Sequence, residues 1–176
     1  MRRISGATLV GPVVLALLLA GCDEGETAAG RGGSGAFRDD YLVARKALEI
    51  GHYENALAGY RSLVDRAGPA TPRVRLEYAH ALLRANSFEA AAEQAGLAAA
   101  EQDGLARASA LAVQAIARHE IARLALGRGE SGAAVKAGLV AARDALDQAL
   151  KDHAAIDPAG GLAARRTEIA QALAAL

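Results

Sequence analysis

Two short motifs in the second half of the chain contain residue types that could do chemistry. The stretch GRGESG (127–132) fits the glycine pattern GxGxxG, and Asp147 follows at about the distance of the acidic residue in a dinucleotide-binding turn. That turn needs a β-strand directly before the glycines, whereas the preceding QAIARHEIARLAL has helical periodicity. We interpret GRGESG as a flexible turn between two helices, with nucleotide binding as the minor alternative.

The second motif, HEIAR (119–123), begins like the zinc protease motif HExxH, but Arg123 stands where the second histidine is needed. One histidine and one glutamate cannot supply three metal ligands and a base. The remaining histidines, His52, His80 and His153, have no metal-ligand spacing, and no serine lies in a GxSxG turn. The sequence therefore predicts no catalytic residue, no metal and no cofactor, and we expect a protein that is not an enzyme.

The only cysteine, Cys22, follows a positively charged start (Arg2 and Arg3) and the apolar run from Val10 to Ala20. A permanent transmembrane helix needs ~20 apolar residues, so this run is too short. A charged start, a short apolar run and small residues are typical of an export signal. With no second cysteine, no disulfide framework is expected.

The residues Leu19-Ala20-Gly21-Cys22 resemble the lipobox of bacterial lipoproteins. The resemblance implies a signal peptide over residues 1–21, a diacylglycerol on the sulfur of Cys22, and a lipid-anchored protein that faces the periplasm. Asp23 is similar to an inner-membrane retention signal, but the choice between inner and outer membrane stays open. The alternatives are an ordinary signal peptide with a chance cysteine, or a short buried helix.

Charge and composition argue against nucleic acid as a partner. The whole chain has 20 basic and 20 acidic residues, and residues 1–21 contain two of the arginines and no acid, so the rest is slightly acidic. Aromatic residues make up 3% of the chain and tryptophan is absent, which leaves few platforms for base stacking. The length after the signal suits one domain.

The organisation after the signal is a tether followed by helices. Residues 22–36 contain the lipidated cysteine and a Gly-, Ser- and Ala-rich segment that we interpret as flexible. From Phe37 the pattern predicts an all-α fold, because apolar residues recur at helical spacing and no run alternates with period two. We expect seven helices, at about 38–50, 53–66, 72–84, 87–101, 105–126, 132–155 and 162–175.

An internal repeat of 35 residues aligns Gly51 with Asn86, and Tyr53 with Phe88. Its spacing and residue types resemble the tetratricopeptide repeat (TPR), a helix–turn–helix unit. The resemblance implies a short α-solenoid of antiparallel helix pairs, with two repeats over residues 37–102 and a longer helical hairpin plus a capping helix over 103–176. It also places small residues where paired helices cross closely, at Ala44, Ala56, Ala79 and Ala91.

Other positions define further expectations and the main departure from the pattern. Gly51 and Asn86 stand where the turn needs a positive φ. Asp40 and Arg75 occupy a core position that is usually aromatic. The alternative is a plain antiparallel bundle.

Two stripes should line the long hairpin: Leu105, Ala108, Ala112, Ala115, His119, Ala122 and Leu126; then Val135, Leu139, Ala142, Leu146, Ala149 and His153. The capping helix should bury Leu162, Ile169, Leu173 and Leu176.

The TPR resemblance also implies a partner-binding groove lined by the first helix of each repeat. We expect this groove to be cationic with apolar patches and to take an acidic or extended segment of a protein partner. The alternative is that its arginines form a solvated helix face. The predicted groove residues are Arg38, Tyr41, Arg45, Leu48, Arg73, Leu76, His80, Leu83 and Arg84.

Together these resemblances suggest a membrane-anchored periplasmic scaffold for protein–protein interaction in cell-envelope machinery, with pilus or secretion-system assembly as the favoured setting. The alternatives are a regulatory adaptor of a peptidoglycan-modifying enzyme and an accessory factor for outer-membrane protein assembly. A small-molecule enzyme that uses the glycine turn is a third, different class.

Overall fold

The computed structural model describes the backbone of residues 28–176 and the side chains from residue 35 onward. Cys22 and the predicted signal peptide lie outside the described residues. Within them the chain forms seven α-helices and no strand, so the all-α prediction is confirmed. The helices are α1 Ala28–Glu49, α2 Tyr53–Val64, α3 Thr71–Arg84, α4 Phe88–Ala100, α5 Gly104–Gly127, α6 Ala133–Asp152 and α7 Gly161–Ala174.

The first helix starts earlier than we predicted. Residues 28–36 belong to α1 and not to a flexible tether, although they include several glycines. Extending an existing helix fixes one residue per new hydrogen bond, whereas starting one is costly, and the segment contains no proline to stop the extension. The glycines weaken this part of α1 without breaking it.

The helices pack in adjacent pairs along the chain. α1 packs on α2, α3 on α4, and α5 on α6, while each pair also contacts the next through α2 with α3 and α4 with α5. The first helices α3 and α5 touch each other, and α7 packs on the last pair. Every helix therefore buries its apolar stripe against its neighbours in sequence, which is the arrangement that short connections favour.

Small residues allow the paired helices to approach closely. Ala44, Ala56, Ala79 and Ala91 are all buried, as expected for crossing positions. Within a helix pair, the tightest glycine contact involves Gly59 in α2, where an added Cβ would lie 2.8 Å from the Cβ of Ala44 in α1. Since real Cβ atoms do not approach so closely, the packing of α1 on α2 requires a glycine at this position.

Three helix pairs are joined by turns of the same backbone geometry. In each turn one residue has positive φ: Gly51 (80°), Asn86 (58°) and Gly129 (81°). The backbone amide of that residue donates to the carbonyl of the residue three positions before it. The amide of the following residue donates to the carbonyl five positions before it. These two bonds are the pattern of a Schellman helix end. The bonds are Gly51 to Leu48, His52 to Ala47, Asn86 to Leu83, Ser87 to Leu82, Gly129 to Leu126 and Glu130 to Ala125.

The third turn shows what the GRGESG motif is. Gly129 takes the place that Gly51 and Asn86 hold in the earlier turns, and it follows Asn86 by 43 residues instead of 35. The difference reflects the first helix of the third pair, because α5 has 24 residues and α3 has 14. The second helix of each pair buries three residues at the same spacing, four and then three positions apart. They are Ala56, Tyr60 and Leu63 in α2; Ala91, Ala95 and Ala98 in α4; and Val135, Leu139 and Ala142 in α6.

Polar residues at the unusual core position make ion pairs. Asp40 accepts from Arg66 at 2.7 Å, and Arg75 donates to Glu101 at 2.6 Å. The two pairs stand 35 residues apart at both partners, but acid and base are exchanged between them. In each unit the pair ties the first helix to a residue just beyond the end of the second, at the position where an aromatic residue was expected.

The long hairpin and the capping helix follow the predicted stripes with two exceptions. Ile169 is fully buried, whereas Leu105 is 56% exposed and Leu176 is 38% exposed. Leu105 lies in the first turn of α5 and Leu176 lies beyond the end of α7, so neither has a packed neighbour on its outer side. Helix ends are where a periodic pattern loses its predictive value.

We predict that Ala56→Leu destabilises the fold and that Ala58→Leu, two residues along the same helix, does not. Ala56 is fully buried between α1 and α2, and Ala58 is exposed. Overpacking such a site typically costs about 1–3 kcal/mol, while an exposed substitution stays within about 0.5 kcal/mol. Denaturant melts of both variants measure the difference, and equal stabilities would contradict the close crossing.

Candidate functional site

A depression of about 250 Å³ lies where the first helices α1 and α3 approach each other. It contains three of the residues that the sequence predicted for a groove: Arg38, Tyr41 and Arg73. Arg38 and Tyr41 belong to α1, and Arg73 belongs to α3. Its other lining residues are Phe37, Ala70, Val74 and Glu77.

The position of Tyr41 is fixed by contacts on both sides of its ring. The ring meets that of the buried Tyr60 edge to face, with 6.2 Å between centroids. Its hydroxyl accepts from Arg45 at 3.3 Å, and Arg45 also donates to Glu49 at 3.2 Å. These hydrogen bonds, first that to Tyr41, raise the pKa of Arg45 above its usual value. Arg45 therefore supports the wall of the depression and has little freedom to bind elsewhere.

Arg38 and Arg73 are the two exposed cations of the depression. Neither makes an ion pair with any other residue whose side chain the structure describes, and both are accessible to solvent. A guanidinium that keeps its five donors can bind a carboxylate bidentately. The two arginines therefore form the part of the predicted groove that is ready to receive an acidic group.

Glu77 was missed by the sequence analysis, and it corrects the expectation of a purely cationic groove. It lies four residues after Arg73, so both line the same depression. Its negative charge contributes to the raised pKa values of Arg45 and Tyr60, although burial is the larger cause for Tyr60. The i,i+4 spacing was the available signal. The lining has mixed charge, with two cations and one anion.

The remaining predicted groove residues lie outside this depression. Leu48 is buried in the core, which corrects its prediction as a groove residue, while Leu76 and Leu83 are half-buried against the core clusters. Arg84 is exposed and lies over the ring of Tyr53, 5.9 Å from its centroid.

His80 belongs to a second depression, formed by α3, α5 and the segment before α7. Its volume is about 270 Å³, and it is lined by His80, Ser109, Ala112, Val113, Ile116, Ile156 and Leu162. This depression continues the row of first helices, but its lining apart from His80 and Ser109 is apolar. The nine predicted residues are therefore divided between two depressions, the core, and the exposed surfaces of α1 and α3 that carry Arg45 and Arg84.

The histidine of the HEIAR motif is part of a polar network that holds α7. His119 is 6% exposed, and its Nδ1 accepts from Arg165 at 3.0 Å. Arg165 also donates to Glu120 at 2.8 Å, and Arg123 donates to the second oxygen of Glu120 at 2.8 Å. Since arginine can only donate, Nδ1 of His119 must be the acceptor and its hydrogen must lie on Nε2.

Burial and charge tune this network. Burial, and then the positive charge of Arg165, lower the pKa of His119. Burial raises the pKa of Glu120, but hydrogen bonds from Arg165 and Arg123 outweigh it and lower the pKa overall. The neutral histidine and the ionised glutamate are thus the states that the fold favours, and they join α5 to α7.

The GRGESG turn has no strand beside it within residues 28–176. Helix α5 precedes it as predicted, and Arg128 donates to Glu130 across Gly129 at 2.6 Å. An apolar cleft of about 220 Å³ lies next to it between α5 and α6. The glycines serve a helix end, and the geometry of a dinucleotide-binding turn is not formed.

The described residues contain no group of three or more His, Cys, Asp or Glu side chains that could hold a metal ion. None of their helices is both long and apolar enough to cross a membrane.

We predict that the fold loses stability as the pH falls below about 6.5, the pKa of an unfolded histidine. Because the pKa of His119 is lowered in the folded state, the unfolded chain binds more protons in this range, and stability falls with pH. Thermal melts at pH 7.5 and 5.5 should differ by a few degrees. His119→Gln should reduce the difference, while His52→Gln, at an exposed site, should leave it unchanged. An unaltered difference in the His119 variant would contradict the assignment.

Comparison of the chain with protein-family models, with curated proteins and with solved structures found no match in any of the three.

Proposed function

We propose that this protein is a membrane-anchored periplasmic lipoprotein whose TPR-like solenoid acts as a scaffold for protein–protein interaction in cell-envelope machinery. The setting we favour is the assembly of a pilus or a secretion system. The observation that carries the proposal is the depression between α1 and α3, with Arg38 and Arg73 beside Tyr41. Its function would be to hold a partner segment and not to change it chemically.

The TPR-like part of the proposal is supported by the recurrence of one unit. The turns at Gly51, Asn86 and Gly129 share their backbone hydrogen bonds, and the ion pairs of Asp40 and Arg75 recur at the same spacing. A chance bundle of alanine-rich helices would have no reason to repeat both features. Units of this kind stack side by side and leave their first helices on one face.

The anchoring part of the proposal is supported by the sequence alone. Leu19-Ala20-Gly21-Cys22 follows a short apolar run, and helix α1 begins six residues after the cysteine. Two or three acyl chains on one residue would give permanent attachment, since each buried CH₂ contributes ~0.8 kcal/mol. The scaffold would then work close to the membrane surface.

The charges of the depression indicate which partner it suits. Arg38 and Arg73 lie on the two helices that flank the depression, so one bound segment can contact both. Glu77 repels an acidic group that approaches its side of the depression. Tyr41, Phe37 and Val74 supply apolar surface between them. An extended segment with an acidic residue next to an apolar one matches this lining.

We predict that Arg38→Glu with Arg73→Glu abolishes capture of the partner while leaving the fold intact. Both side chains are exposed, so each change should alter stability by at most about 0.5 kcal/mol. The reversal puts two acids beside Glu77, and like charges at an interface can cost several kcal/mol. The measurement is a pull-down from solubilised envelopes beside a circular dichroism melt.

A matched control makes the same change of charge on another face. Lys136→Glu with Lys151→Glu alters two exposed cations of α6, away from the depression. This variant should retain the partner. Reversal of Arg45 is a poorer test, because it would also break the hydrogen bond to Tyr41. If the Arg38 and Arg73 variant keeps every partner at wild-type yield, the depression is not the working surface.

We predict that Cys22→Ser prevents both lipid attachment and removal of residues 1–21. The lipoprotein peptidase acts only on the modified form, so the two steps should fail together. Mass spectrometry of the wild-type chain from membranes should show an acylated cysteine at the amino terminus. An unmodified chain that begins at another residue would exclude the anchor and leave the groove proposal to its own test.

A further inference from the structure

The outer face of α1 carries exposed apolar residues that nothing in the described chain covers. Leu42 is 50% exposed, Val43 70% and Ile50 51%, and these are three of the largest exposures among the apolar residues. At 100° per residue they lie on the side of α1 opposite the buried Ala44 and Leu48. Single exposed apolar residues are ordinary, but Leu42 and Val43 on α1 and Ile50 directly after its last residue lie on one face and form a patch.

The same face contains charges of both signs in a symmetric order. Asp39 stands three residues before Leu42, and Lys46 stands three residues after Val43. Both are exposed and both lie near the centre of the stripe, between Leu42 on one side and Val43 on the other. Neither makes an ion pair with another residue whose side chain is described.

We propose that this face binds the same face of a second copy of the chain, with the two α1 helices antiparallel and the two-fold axis between Leu42 and Val43. Residues at equal distances from that axis then lie level with each other. Leu42 of each copy lies level with Val43 of the other, so these four apolar side chains gather around the axis. Asp39 of each copy lies level with Lys46 of the other, so two ion pairs form.

The ends of the stripe fit the same arrangement. Ile50 lies level with Gly35 of the second copy, and within the described part of the chain an added Cβ at Gly35 would meet no atom within 4 Å. The residue level with Ile50 is therefore one without a side chain. A two-fold interface requires one patch to be complementary to itself, and this order of apolar, acidic, basic and small residues satisfies that requirement.

The interface would be small, because one helix from each copy forms it. Stable complexes usually bury about 800 Å² on each partner, and a single helix face supplies less. The association is therefore weak in dilute solution and stronger where the copies are concentrated. Its specificity comes from the ion pairs, because the parallel arrangement would bring Asp39 next to Asp39 and Lys46 next to Lys46.

The test uses the full chain in detergent micelles. Isotopically light and heavy preparations are mixed and treated with a carbodiimide, which joins a carboxylate to an amine in direct contact as an amide. We expect peptides in which Asp39 of one isotope is joined to Lys46 of the other. Seven residues separate the two along α1, too far for a link within one copy. Absence of mixed-isotope links would overturn the proposal.

A charge cycle provides the second readout. Asp39→Lys alone and Lys46→Asp alone each turn two attractive pairs into repulsive ones, and each should lower the dimer fraction measured by sedimentation at least about tenfold. The double variant Asp39→Lys with Lys46→Asp should restore it. Glu93→Lys, at an exposed acid of α4, is the matched control and should have no effect. If the double variant stays monomeric, or if the single variants dimerise normally, this face does not bind a second copy.

Discussion

The contact on which the structure depends most is the close approach of the two helices in a pair. Alanine and glycine at the crossing positions let the backbones come near enough for the long side chains on either side to interlock. Gly59 against Ala44 is the limiting case, with no room for even a methyl group. Since dispersion falls steeply with distance, a core built largely from alanine can be stable only if its helices are this close. The turns and the ion pairs then fix how far each helix can slide along the other.

Much of the fold followed from patterns in the sequence. Helix bounds were predicted within a few residues after Phe37, because Gly51, Asn86, Pro72 and Gly129 mark turns by their backbone preferences. The start of α1 was not predicted, since the glycine content of a segment does not reveal whether a helix will extend through that segment. The prediction of burial was also wrong at the ends of the stripes. Leu105 has the helical spacing of a buried residue but no neighbour that covers it.

The candidate site was less predictable than the fold. Arg38, Tyr41 and Arg73 were predicted to share a groove because the TPR resemblance implies which positions of the first helices line it, and all three line the depression. Leu48 was misplaced because a small rotation of α1 on α2 decides whether such a residue faces a groove or the core, and a periodic pattern does not contain that angle. The hydrogen bond between His119 and Arg165 depends on where α7 folds back, and the sequence gives no sign of this contact across a separation of 46 positions.

The exchanged ion pairs have a consequence for how such a chain can change its length. Both charges of a pair lie within one unit, Asp40 with Arg66 and Arg75 with Glu101. A unit can therefore be duplicated, deleted or transplanted without leaving a charge unmatched in its neighbour. If the acid lay in one unit and the base in the next, every such event would expose two unpaired ends. In these two ion pairs each helix pair is self-contained, whereas the hydrogen bond from Arg61 to Tyr78 and the contact of Arg84 with the ring of Tyr53 join one helix pair to the next.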